Sequence, residues 1–155
     1  MFGRTTLLIL AMAFSASAQK YAGPRPPKAD LPYLKHAQNL VPTEAGTAKE
    51  EKQKNDILYV MEGEASSAKT PLASPIFIVE ADKLNPDKLA LYKLDTKSGH
   101  REILFGPKKQ PKAIHMDVSR LADKVYKIEV SDSLENGEYV LTPEGSNQVF
   151  CFQVY

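Results

Sequence analysis

From residue 56 onward, apolar and polar residues alternate in short runs instead of recurring at helical spacing. Ile114, Met116 and Val118 fall on one side of an extended chain and His115, Asp117 and Ser119 on the other; Tyr126, Ile128 and Val130 oppose Lys127 and Glu129 in the same way. Successive side chains of a strand point to opposite faces, so these runs read as strands with one wet face. The pattern predicts strands over residues 57–61, 75–81, 89–94, 101–105, 113–118, 125–130, 138–141 and 149–155. Gly, Pro, Asn, Asp and Ser divide them at the spacing of an antiparallel sandwich or barrel. Residues 95–99 and 119–123 are short enough to close hairpins, and Asn85-Pro86-Asp87 has turn chemistry.

Two runs break the alternation. Pro75-Ile76-Phe77-Ile78-Val79 and Val149-Phe150-Cys151-Phe152-Gln153-Val154 are apolar on both faces, which requires cover on both sides. The cover is expected from a partner protein docked on a sheet face or edge strand, or from the chain's own Leu31, Tyr33, Leu34, Leu40 and Val41.

Those five residues lie in a stretch of different texture. Residues 19–55 hold five of the eleven prolines and end in the charged run Ala48-Lys49-Glu50-Glu51-Lys52-Gln53-Lys54-Asn55. Proline fixes φ and removes a donor, and the charged run has no apolar stripe to bury, so an irregular linker is expected here. Ahead of it, Arg4 precedes an apolar run from Leu7 to Phe14 and the small triplet Ala16-Ser17-Ala18. The run is too short to span a hydrocarbon core of about 30 Å, and the arrangement is that of a secretory signal peptide cut before Gln19. The expected organisation is a signal peptide over 1–18, a Pro-rich and charged segment over 19–55, and a β-sandwich domain over 56–155.

Composition narrows the function. Loss of Arg4 with the leader would leave the 20 basic and 19 acidic side chains in equal balance. A neutral exported chain has no general attraction to nucleic acid or anionic lipid, and no other stretch is apolar enough for a membrane helix. The expected location is the periplasm or the extracellular space. Cys151, the single cysteine, cannot form an intramolecular bridge, so stability must come from the core.

Leu134-Glu135-Asn136-Gly137-Glu138-Tyr139-Val140-Leu141 resembles the penultimate strand of an immunoglobulin-like sandwich. The resemblance implies that the Tyr139 hydroxyl bonds back to the backbone upstream. It also implies that Val149 to Tyr155 is the last strand, hairpinned to its predecessor through residues 142–148. Leu141 stands where a disulfide cysteine would be and the chain has no Trp, so a disulfide-free variant is implied. The same ending, with Ser74-Pro75-Ile76-Phe77-Ile78-Val79-Glu80-Ala81-Asp82-Lys83-Leu84 upstream, is similar to small exported bacterial proteins of uncharacterised function. They finish in a GEY…VFCF-like hairpin and bring no activity with them. The fold class expected is therefore all-β, an immunoglobulin-like antiparallel sandwich of seven to eight strands after an irregular Pro-rich segment.

Chemistry-bearing residues are few. Cys151 lies mid-strand between Phe150 and Phe152 and reads as a buried structural thiol, not a nucleophile. His36, His100 and His115 have no metal-ligand spacing among them. His115 and Asp117 share a strand face, which could serve acid/base work but is equally the polar side of a half-buried strand. Residues 106–112 form a basic cluster with three lysines and two prolines, read as a solvated loop tip. The carboxylates Glu62, Glu64, Asp82 and Asp87 cannot be paired into a glycosidase site from sequence. No catalytic, cofactor or metal residue is assigned and no cofactor is expected. The function expected is a non-catalytic binding or assembly module of the cell envelope, with a secreted hydrolase or a carbohydrate-binding module as the alternatives.

Overall fold

The computed structural model describes residues 20–155, so the expected leader over 1–18 lies outside the described residues. In chain order the strands are β1 (Tyr33–His36), β2 (Asn39–Pro42), β3 (Glu44–Thr47), β4 (Lys49–Gln53), β5 (Asp56–Glu62), β6 (Lys69–Thr70) and β7 (Ile76–Glu80). They continue as β8 (Leu89–Lys97), β9 (His100–Phe105), β10 (Met116–Ala122), β11 (Val125–Val130), β12 (Gly137–Pro143) and β13 (Gln148–Val154). A 3-10 turn, Pro86–Lys88, precedes β8; Asn85 caps it, its side chain accepting from the Asp87 N–H at 3.0 Å. The eight runs of alternating or doubly apolar sequence are all strands, β5 and β7 to β13, with ends displaced by at most about four residues, the usual slack of boundaries read from sequence.

The fold is an all-β antiparallel sandwich. One sheet has the order β10-β11-β7-β1-β2, and the other runs β3-β13-β12-β8-β9-β5-β4, with β6 added parallel to β13. The main core lies between them: Leu34, Phe77, Val79 and Ile128 of the first sheet meet Leu91, Tyr139, Leu141, Phe150 and Phe152 of the second. Burying side chains of this size contributes about 1.5–3 kcal/mol each. Aromatic contacts fix the closing hairpin within it. Phe152 lies edge-on to Phe77 at 5.1 Å and stacks on Tyr139 at 5.6 Å. The Tyr139 hydroxyl donates to the Glu135 carbonyl at 2.8 Å, the upstream backbone bond that its place in the hairpin implies.

The expected linker is the largest difference. Residues 33–53 form four strands, which bring the count well beyond seven or eight. β1 pairs with β2 and lays Leu34 beside Phe77 on β7, so Leu31 to Val41 joins the sandwich as an added hairpin on one sheet. Ahead of it the proline arm is pinned at Asp30, whose carboxylate accepts from the N–H groups of Asp82, Lys83 and Leu84 at 2.7–3.1 Å.

The second sheet also closes on itself. Its two ends, β3 and β4, are separated only by Ala48, so one continuous run pairs first with β13 and then with β5. Ala48 donates its N–H to the Asn147 carbonyl at 2.8 Å across the seam. The result is a small barrel with a second core of Ala48, Met61, Leu94, Ile103, Val140, Val149 and Cys151. This closure explains the apolar faces of β13: Phe150, Phe152 and Val154 face the first sheet, while Val149 and Cys151 face the barrel interior. The chain itself supplies that cover. On β7, Phe77 and Val79 face the main core, and Ile78 on the far side is buried next to its cross-strand partner Tyr33.

Candidate ligand-binding cavity

Inside the barrel the residues are layered by strand register. At one end the interior positions are charged. Arg101 on β9 is 1% exposed, and a buried charge is tolerated only where it is paired and hydrogen-bonded. Its Nε donates to the Gly63 carbonyl at 3.0 Å, and Nη2 donates to Glu44 Oε1 at 2.7 Å and to the Glu62 carbonyl. Gly63 has φ +80°, a left-handed conformation that presents its carbonyl to the guanidinium and that other residues adopt only with strain. Nη1 has no partner among the described residues.

Two glutamates complete this end and are held differently. Burial alone would raise the pKa of Glu44, but the Ser67 N–H, donating at 2.7 Å, and Arg101 outweigh it and hold the carboxyl below its ordinary value. Glu138 is pushed the other way: burial dominates, although both its oxygens accept from the Ser66 N–H at 3.1 and 3.2 Å. Cys151 shares this interior, 1% exposed, its thiol pushed up to about 12 chiefly by burial. The expected buried thiol is what the structure contains, and at that pKa it is a packing group.

Above Met61 and Val140 the barrel is hollow. β8 and β9 pair only over Asp95–Lys97 and His100–Glu102; beyond that point the free edge of β8 is taken by Ile114, which bridges Leu91 and donates its N–H to the Leu91 carbonyl at 2.8 Å. The barrel end lined by these strands holds a cavity of about 560 Å³, with Ala90, Tyr92, Ile103 and Phe105 in its wall. Strand alternation turns Tyr59, Tyr92 and Phe105 toward it. Phe105 stands edge-to-face with both tyrosines, at 5.7 Å from Tyr59 and 5.3 Å from Tyr92. Ala48, Ile103, Val140 and Val149 supply aliphatic wall, and Glu50, Thr142 and the 143–147 turn supply the rim.

Two local devices hold the mouth. The 106–110 loop is a tight reverse turn in which Gly106 and Lys109 exchange backbone hydrogen bonds at 2.9 and 3.2 Å. A Cβ at Gly106 would fall on the Asp56 carboxylate, so glycine lets the loop come this close to β5. The loop carries Gln110 to the cavity, where its Nε2 donates to the Gly106 carbonyl at 3.1 Å. On the opposite rim, the Glu144 N–H donates to the Lys88 carbonyl at 3.0 Å. Burial, and next the nearby Glu50 carboxylate, raise the pKa of Tyr59.

The residues singled out from sequence lie elsewhere. His36 bonds Thr70 Oγ1 at 2.8 Å, His100 bonds Glu102 at 2.7 Å, and exposed His115 contacts Asp117 at 3.3 Å. Asp117 also accepts from Ser131 Oγ at 2.6 Å, a surface polar cluster at the β10–β11 edge. None of the three histidines lines the cavity. The three lysines of the basic loop are exposed and outside its lining. Glu62 and Glu64 are exposed, and Asp82 lies 3.9 Å from Lys124 Nζ. Among the described residues, no group of three His, Cys, Asp or Glu side chains is placed to hold a metal ion. No helix of the described residues is long and apolar enough to cross a membrane. The cavity residues Tyr59, Tyr92, Phe105, Glu50 and Glu144 are not distinguishable in the sequence from ordinary strand and turn positions.

No protein-family model, no curated protein and no solved structure matches the chain.

Proposed function

We propose that this is an exported, non-catalytic binding protein whose ligand is a small, largely apolar organic molecule seated in the mouth of the barrel. The observation that carries the proposal is the cavity: about 560 Å³, with three aromatic rings and aliphatic side chains on one part of its wall and Glu50, Gln110, Thr142, Glu144, Ser146 and Asn147 on the rest. Ligand sites of soluble proteins share that volume range and likewise combine apolar and aromatic wall with polar groups that orient the ligand. Export is supported by the Arg4, Leu7-to-Phe14 and Ala16-Ser17-Ala18 pattern. A docked partner protein is no longer required to explain the doubly apolar strands, since the chain covers both.

The test is a fluorescence titration with the neutral apolar dye N-phenyl-1-naphthylamine. A saturable, one-to-one enhancement is expected, and it should be lost in Ala90→Trp, which fills the cavity from a half-buried position in its wall. Absence of binding by the wild type, or unchanged binding by an Ala90→Trp variant with a wild-type melting curve, would overturn the proposal.

A further inference from the structure

We infer that the cavity selects organic cations: molecules with an ammonium head and an apolar body. The inference rests on the binding role proposed above and adds the sign of the ligand's charge. The lining contains two acidic residues, Glu50 and Glu144, and no Lys, Arg or His. Lys108, Lys109 and Lys112 belong to the neighbouring loop and are not part of the lining. The aromatic groups act in the same direction. The face of a phenyl or phenol ring is the negative end of its quadrupole, and attraction for an ammonium grows as water is excluded. Tyr59, Tyr92 and Phe105 form one contiguous group, with Phe105 in contact with both tyrosines, and Glu50 lies opposite Tyr59 on the neighbouring strand, so a cation in the cavity meets ring surface and carboxylate together. An anionic head would be opposed by both acidic groups of the lining, and a neutral one would gain no attraction from them.

Three matched probes separate this inference from the binding role: 4-phenylbutyl-trimethylammonium, 4-phenylbutan-1-ol and 5-phenylpentanoate, titrated calorimetrically at low ionic strength against the purified protein. The ammonium compound is expected to bind about ten-fold more tightly than the alcohol, or better, and the carboxylate most weakly. Glu50→Gln with Glu144→Gln should abolish the preference for the ammonium compound, read as the ratio of its affinity to that of the alcohol in the same variant; both positions are solvent-exposed, and a melting curve verifies the fold. Equal affinity for the three probes, or preference for the carboxylate, would overturn the cation inference while the apolar binding role stands. Binding of the dye without binding of any probe would also overturn it. Failure of the dye and all three probes would remove both.

Discussion

Arg101 shows at the residue scale how a strand position that looks ordinary in sequence carries a structural charge. It alternates inward with Ile103 and Phe105, and its guanidinium stitches β9 to Glu44 and to the turn at Gly63. Removing one member of a buried charged set leaves the others uncompensated, so Arg101→Ala should cost about 3–5 kcal/mol of stability, read from chemical denaturation. The two glutamates should show opposite pH dependence. Glu44, with its lowered pKa, contributes stability that is present above the unfolded-chain value and is lost as pH falls through the folded value. Glu138, with its raised pKa, contributes stability that is fully present below the unfolded-chain value and is lost as pH rises through the folded one. Melting temperatures measured across the acidic range should therefore show Glu138→Gln gaining on the wild type as pH rises. Glu44→Gln should instead lose ground over the same interval. Parallel curves for the two variants would contradict the assignment.

Among the elements, the strands legible in the sequence are those with one apolar face, and β1 to β4 are not legible for reasons that can be named. β4 is exposed along its whole length and consists of Lys49-Glu50-Glu51-Lys52-Gln53, so it shows no period to read. It is held by backbone pairing with β5, and its charges suit a position along the rim of a sheet. The turns hide the hairpins as well. Ala37 and Lys54 take φ of +54° and +57°, values usually signalled by Gly, Asn or Asp, so neither hairpin carries the usual turn signature at those positions. Proline counts against regular structure, yet Pro42 ends a strand and Pro32 precedes one, positions where a missing donor is tolerated. Since β1 to β3 and the start of β4 lie within residues 19–50, deleting that span should prevent folding instead of merely uncovering a face. Circular dichroism and gel filtration of the truncated chain should report a collapsed or aggregated product, and a stable β-rich monomer would show that these strands are dispensable.

For the whole molecule, closure is the decisive feature. A flat second sheet would expose Val149 and Cys151; rolled up through Ala48, the same sheet encloses a core at one end and a cavity at the other. Cys151 gives the readout for the closed end: in the native protein it should resist a thiol reagent, with labelling that follows global unfolding in denaturant. Rapid native labelling would mean that the barrel opens locally. A bound ligand should also raise the melting temperature as its concentration exceeds the dissociation constant, since it binds only the folded barrel. By itself the sequence determined the β character, the eight patterned strands, the faces of β10 and β11 and the buried state of Cys151, because these follow from local alternation and from the cost of exposing branched and aromatic side chains. Only the tertiary structure decided that the N-terminal segment is woven into both sheets, that Glu44, Arg101 and Glu138 meet, and that Tyr59, Tyr92 and Phe105 surround one space. Those arrangements depend on which strand edges pair across long stretches of chain, and pairing of backbone groups leaves no mark on the order of side chains along it.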